Sequence, residues 1–331
     1  MSLPAQFNDS LKLPAVAAPM FLASGPQLVI ETCKAGVVGT FPALNQRTSE
    51  GFEQWLIEIK TELSRFESET GTKAAPFGVN LIVHKSNPRL AADLALCVKH
   101  EVPLIITSLG AASEVVDSVH SYGGLVFHDV VNVRFAKKAA SVGVDGLIAV
   151  AAGAGGHAGN WNPFALINEL RQFFDKTILL SGSLSSGRDI AAAQMMGADL
   201  AYMGTRFIGT RECRVDEDYK ALLLASSAAD IVYTPVISGV PASFLRSSIE
   251  RAGLDLETLE APSQVDFGAE LDEAADDGHQ SKAKPWKDIW SAGQGVGSID
   301  DLPSVAELIE RLSAEYQQAQ RDNNNAVARF L

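Results

Sequence analysis

The sequence predicts an α/β fold, a (β/α)8 TIM barrel with a mainly helical insert after the eighth strand. Three observations predict it. Eight apolar runs alternate with helix-like segments along residues 1–213. Most of these runs are continuous rather than alternating in polarity, as parallel strands covered on both faces read. The phrases AGVVGTF, VGVDGLIAV and MGADLAYMG repeat one unit, a helix-stopping glycine followed at once by a strand. Eight such units with no evident switch in strand order favour a closed barrel over a doubly wound sheet.

The runs are Ala15–Met20, Val37–Phe41, Phe77–Val83, Leu104–Leu109, Leu125–Val130, Gly146–Ala152, Thr177–Ser181 and Leu200–Phe207. Between the first two, Pro26 stands at a first helical position and Gly36 at a stop. Asn87-Pro88 and Asn162-Pro163 each pair a capping residue with proline at N1. Gly143 and Gly197 end helices expected over 133–142 and 188–196. Residues 214–285 read as a polar, helical insert or lid, and ELDEAADDGHQ within them as a solvated loop. A final amphipathic helix from Pro303 is expected to return to the barrel, so that residues 1–213 and 286–331 form one unit.

Hydrophobic residues make up 47% of the 331 and aromatics only 7%, which suits packed helices and buried strands. No window approaches eighteen uninterrupted apolar residues, so no membrane span is expected. The N-terminal MSLPAQFNDSLKL carries no secretory pattern. Cys33, Cys97 and Cys213 are widely spaced and odd in number, which argues against a disulfide framework or a cysteine-based zinc site and fits the cytoplasm. A net charge of −13 argues against a nucleic-acid partner. The expected partner is a small-molecule substrate, and the oligomeric state stays open.

In such a barrel the active site lies at the C-terminal ends of the strands. Reading those ends in order gives Pro19-Met20-Phe21, Phe41-Pro42, Asn80, Ser108, His128-Asp129, GAGGHAG (153–159), SGSLSSG (181–187) and MGTRF (203–207). The last two carry small and hydroxylated residues where barrels of this kind often place a phosphate site built from backbone amides and a helix N-terminus. GAGGHA also fits a dinucleotide fingerprint, but that needs a helix inside the motif, and the helix starts only at Pro163. His157 stands apart from the other histidines. It sits among glycines at a strand end, where nothing obvious fills a core, and an imidazole titrating near 7 suits proton handling there. His84, His100, His120 and His279 read as surface or helix-end residues. His128 ends the fifth run, where a place in the site and a packed role both fit. No histidine pair has the spacing of a metal site.

APMF, FGVNL, GGHAG, SGS and MGTRFIGTREC, in this order, together with IWSAGQ (289–294), resemble the nitronate monooxygenase family, formerly 2-nitropropane dioxygenases, over nearly the whole chain. The family also contains NADH:quinone reductases and flavin-dependent enoyl-ACP reductases. The resemblance implies a cytoplasmic flavoprotein oxidoreductase with noncovalent FMN. Pro19, Met20 and Phe21 would line the flavin, Asn80 would hydrogen-bond its ring edge, and His128 would border it. Ser181, Gly182, Ser183, Gly204 and Thr205 would hold the phosphate. Gly156 and His157 would face the reactive side, with His157 catalytic and no metal involved. Aspartate at Gly182 or Gly204 is then expected to expel the flavin and leave the barrel folded. One departure is that quinone-reductase-like members carry a lysine after the histidine of strand five, where this chain has Asp129. The implied reaction turns alkyl nitronates and O2 into a carbonyl compound and nitrite. The alternative is an NAD(P)H-dependent reductase of quinones or enoyl thioesters, toward which IWSAGQ leans. A non-redox barrel binding a phosphorylated metabolite is the reading from another class.

Overall fold

A computed structural model describes residues 2–259, 261 and 284–330. The acidic stretch ELDEAADDGHQ and His279 lie outside the described residues. Eleven strands occur among the described residues: β1 (Ala15–Ala17), β2 (Val38–Pro42), β3 (Phe77–Ile82), β4 (Leu104–Ser108), β5 (Leu125–Val130), β6 (Gly146–Val150), β7 (Gly156–His157), β8 (Thr177–Ser181), β9 (Leu200–Met203), β10 (Ile231–Thr234) and β11 (Ala242–Leu245). Eight of them close a parallel barrel in the order β1-β2-β3-β4-β5-β6-β8-β9, and β9 returns to β1 with Val16 opposite Tyr202. The expected barrel is therefore present.

The continuous apolar runs have a direct physical cause. Side chains alternate across each strand, and both faces are buried. Val16, Leu104, Ile106, Phe127, Ile148, Leu179 and Leu200 point into the lumen, while Val126, Val130, Leu147, Ala149, Ile178 and Leu180 pack under the helices. Phe7, from the short helix Ala5–Phe7, joins the lumen core edge-on against Phe127, ring centroids 6.0 Å apart. Each such side chain contributes roughly 1.5–3 kcal/mol by leaving water.

Helix ends follow the local signals in most places. Pro26 opens Pro26–Lys34, and Gly36 beyond it has φ 86°. Asn162 caps Pro163–Arg171 by accepting from the Phe164 amide at 2.9 Å. Helices Val133–Ser141 and Gly187–Met195 are followed by left-handed Gly143 and Gly197. The Asn87-Pro88 expectation is off by two residues. Asn87 spends its side chain on the Arg89 amide in a local turn, and the helix begins at Leu90. The eighth run also ends early, at Met203. Gly204 breaks the strand, and the apolar residues after it form a short helix, Thr205–Ile208, whose Phe207 is fully buried.

The C-terminal helix Val305–Val327 starts at a Ser304–Glu307 capping box, just past Pro303. It lies so close to Gly187–Met195 that a Cβ on Gly187 would sit 2.2 Å from the Leu312 carbonyl. It thus packs on the outside of the barrel beside that helix. The insert carries helices Glu217–Ala225 and Arg246–Arg251, but also a hairpin that the sequence reading missed. Strands β10 and β11 pair antiparallel, and β11 pairs antiparallel with β7. Among the described residues no helix is long and apolar enough to cross a membrane. The three cysteines are buried free thiols, and burial pushes Cys33 and Cys213 up to about 12.

Candidate active site

A cavity of about 770 Å³ opens at the C-terminal ends of the barrel strands. All twelve residues expected at the site border it: Pro19, Met20, Phe21, Asn80, His128, Gly156, His157, Ser181, Gly182, Ser183, Gly204 and Thr205.

The loop after β1 is held by one side chain. Asn45 accepts from the Leu22 amide at 2.9 Å and donates to the Met20 and Ser24 carbonyls, while Leu22 takes φ 59°. This fixes Pro19-Met20-Phe21 over the lumen. The loop GAGGHAG is held by segments distant in sequence. The Gly156 amide donates to Ser291 Oγ at 2.6 Å, and Ser291 in turn donates to the Ser243 carbonyl. His157 lies opposite Ala242 in the β7–β11 ladder, and Tyr233 donates to the Ala158 carbonyl at 2.9 Å. Gly155 and Gly159 allow close backbone packing, and Gly156 takes φ 69°. A Cβ on Gly155 would stand 2.8 Å from the Gly293 amide nitrogen. No helix begins within the motif, so the dinucleotide fingerprint is a coincidence of letters.

His157 packs edge-on against Trp286, centroids 5.1 Å apart at 84°. Among the described residues its buried Nε2 has no hydrogen-bond partner. Burial pushes its pKa down to about 4, not the value near 7 that the sequence suggests. At neutral pH the ring is therefore uncharged. It is a hydrogen-bonding group, and a weak base.

The strand alternation separates His128 from Asp129. His128 shares the helix-facing side with Val126 and Val130, and its Nδ1 meets Thr107 Oγ1 at 2.7 Å. Burial, aided by Lys138, pushes it down to about 4. It borders the cavity as a buried wall group. Asp129 shares the lumen side with Phe127. Its Oδ2 accepts from Ser108 Oγ at 2.5 Å, and Ser108 accepts from Asn80 Nδ2 at 2.7 Å. Burial raises the Asp129 carboxyl to about 6 against the pull of the Ser108 bond. With both Asn80 amide hydrogens committed, to Ser108 and to the Ile106 carbonyl, its side-chain oxygen is left for a ligand.

A stability prediction follows from His128. Its folded pKa is depressed below the unfolded 6.5, so its neutral form contributes about 3 kcal/mol above pH 6.5. That contribution is lost as pH falls toward 4. His157 acts with the same sign and Asp129 with the opposite one. The thermal midpoint should drop between pH 7 and 5, and drop less in His128→Gln. An equal drop in both proteins would contradict the assignment.

The phosphate expectation is sharpened. The amides of Ser185 and Ser186 are already taken by Asp189, and that of Gly187 by Glu315. The N-terminus of Gly187–Met195 is thus closed by the protein's own carboxylates. Ser183 also donates its amide to the Gly153 carbonyl. Gly204 and Thr205 instead open the helix Thr205–Ile208, where first-turn amides lack intrahelical acceptors. Gly182 has φ 132°, and a Cβ there would sit 2.7 Å from the Ala152 carbonyl. Aspartate at Gly182 would therefore strain the loop itself, which removes it as a clean test. At Gly204 a Cβ meets only Met20 and Ala18 at 3.6 Å or more.

Residues without an assigned place in the sequence reading complete the site. IWSAGQ runs between the two loops, with the Gln294 amide on the Gly153 carbonyl and the Gly293 amide on Thr205 Oγ1, both at 2.9 Å. Tyr202, Tyr233 and Trp286 add aromatic walls, and among the described residues Lys138 is the lysine or arginine bordering the cavity. The alternation of β5 and β9 would have pointed to Asp129 and Tyr202. No local signal points to Trp286.

The family described as nitronate monooxygenase matches residues 7–315. The (3aS,4S,5R,7aS)-5-hydroxy-7a-methyl-1-oxo-octahydro-1H-indene-4-carboxyl-CoA dehydrogenase of Rhodococcus jostii is 26% identical, covering 91% of this chain and 92% of its own length. A nitronate monooxygenase of Paraburkholderia phytofirmans is 25% identical, with 92% and 93% covered. Among solved structures, FabK from Thermotoga maritima superposes with a TM-score of 0.78 at 22% identity, covering 96% of this chain and 97% of that one.

Proposed function

The chain belongs to the nitronate monooxygenase family, and on that premise we propose that it is an FMN-dependent nitronate monooxygenase. It would convert alkyl nitronates and O2 to a carbonyl compound and nitrite. The observation that carries this reading is His157, a neutral imidazole whose buried Nε2 has no hydrogen-bond partner among the described residues, on the wall of a cavity that suits a flavin.

The residues fit the cofactor. Unpartnered polar atoms on His157 and Asp129, the first-turn amides at Gly204 and Thr205 and the Asn80 oxygen are the kinds of group a flavin nucleotide uses. Gly204, Thr205, Gly182 and the Ser181 and Ser183 hydroxyls would hold the phosphate, with Pro19, Met20 and Phe21 along the ring. FMN rather than FAD is proposed because the loops at 181–183 and 204–205 would suit one phosphate and the sequence carries no second nucleotide motif. Bound flavin supplies the redox chemistry, accepting an electron from the nitronate before oxygen completes denitrification. His157 would hold the nitro group by a hydrogen bond. An anion beside it raises its proton affinity, so binding and proton uptake support each other. Trp286 and Tyr233 cover that side and limit water. Buried unpaired thiols suit work in the cytoplasm.

A second reading has its own observation. Leu109, Phe135, Trp161 and Tyr233 rim the mouth and are 41%, 40%, 36% and 44% exposed. So apolar a rim suits a quinone or an enoyl thioester reduced with NAD(P)H, and the Rhodococcus relative is named for a CoA thioester. The test is an aerobic assay with an alkyl nitronate. Nitrite and carbonyl product should form in equal amounts, and heat-released cofactor should migrate as FMN. FAD, no flavin, or no nitrite would count against the proposal.

A further inference from the structure

We propose that Asp129 is a charge-compensating proton site, taking up one proton when negative charge develops on a flavin bound in this cavity. The proposal rests on the flavin reading above but not on the identity of the substrate.

Asp129 stands on the lumen face of β5, at the cavity end of the barrel. Its Oδ1 is buried with no hydrogen-bond partner among the described residues. The direction of the adjoining hydrogen bonds is fixed. The Ile106 carbonyl can only accept, so Nδ2 of Asn80 must face it and also donate to Ser108. Ser108, having accepted, donates its own hydrogen to Asp129 Oδ2. Oδ2 therefore acts as the acceptor oxygen, and Oδ1 is the one left to carry a proton. A buried carboxylate oxygen without a donor is costly, and more costly charged than neutral.

Among the described residues the surroundings do not supply a compensating cation. From β4 and β3 come the non-titrating Ser108 and Asn80, and from β6 its register partner Ile148. From β9 comes Tyr202, pushed above its usual range by burial and then by the charge of Asp129, so it too stays neutral. His128 is on the opposite face of the same strand, and Lys138 is exposed at the mouth. The carboxyl, already raised to about 6 by burial, is therefore the titrating lumen group nearest to changing state at neutral pH. A new negative charge in the same water-poor space raises its proton affinity further.

The balance is simple. A reductant delivers two electrons, the flavin takes them with one proton and gains one negative charge, and Asp129 takes a second proton from solvent. The net charge of the cavity stays the same.

The experiment counts protons. Flavin-loaded wild type and Asp129→Asn are reduced anaerobically with dithionite in weak buffer containing a pH indicator, between pH 6.5 and 8, with dithionite blanks subtracted. Wild type should take up about one proton per flavin more than the variant. A protonated-carboxyl band should grow in its reduced-minus-oxidised infrared spectrum and be absent from Asp129→Asn. If Asp129→Asn fails to fold or to load, Ser108→Ala serves instead. Loss of the bond to Oδ2 should move the extra uptake to higher pH. Equal proton counts in loaded wild type and Asp129→Asn, no infrared band in wild type, or no shift in Ser108→Ala would overturn the proposal. Wild type without flavin would instead overturn the reading on which it rests.

Discussion

His157→Ala should keep its flavin and lose about 10²–10⁴-fold in turnover on a nitronate, the usual contribution of a positioned acid–base or hydrogen-bonding group. Flavin should stay because His157 borders one side of the cavity, while the Gly204–Thr205 amides and the Met20 loop border others. His157→Asn separates two uses of the ring. An amide can bond an anionic nitro group but cannot take a proton, so it should recover a good part of the loss if bonding is what matters. Burial holds the ring neutral down to about pH 4. With preformed nitronate, wild-type kcat/KM, which reports the free enzyme, should therefore show no inflection from His157 between pH 6 and 8. A neutral nitroalkane should react far more slowly, because so weak a base removes a carbon-bound proton poorly. Turnover within twofold of wild type in His157→Ala would reduce GAGGHAG to a packed turn.

Gly204→Asp should abolish flavin binding and leave the barrel folded. The added Cβ meets only ordinary contacts, so it gives the backbone no cause to move. The aspartate carboxylate would face the phosphate across a short, partly desolvated gap. The check is flavin absorbance of the purified variant beside its thermal midpoint and far-ultraviolet dichroism. A folded variant with full flavin would place the phosphate elsewhere. Asn at the same position controls for size, and it should bind flavin better than Asp.

The barrel was legible because its cause is local. Parallel strands buried on both faces must be apolar at nearly every position, and the glycines that end helices sit at fixed places before them. The insert was less legible for the opposite reason. Strands β10 and β11 are four residues each and β7 is two, and their pairing joins the loop at 156–157 to residues 231–245. No periodicity within so short a stretch announces such a sheet. The break at Gly204 was hidden by apolar residues on both sides of it. At the site, the loop ends could be read directly, but electrostatics could not. Whether His157 titrates near 7 or near 4 depends on Trp286 and other groups distant in sequence. The closed N-terminus of Gly187–Met195 could have been read, since Ser186 and Asp189 spell a capping box. So could the outward turn of His128 and the inward turn of Asp129, from the alternation of β5.

The central claim is that a flavin in this cavity is reduced by a nitronate. The direct measurement mixes oxidised enzyme, without oxygen, with an alkyl nitronate, NADH or NADPH in separate runs, and follows flavin absorbance. The account predicts rapid bleaching by the nitronate, slowed by about 10²–10⁴-fold in His157→Ala, and a stable oxidised spectrum with either nicotinamide. Bleaching by NADH or NADPH with no response to nitronates would contradict it and assign the cavity to a reductase.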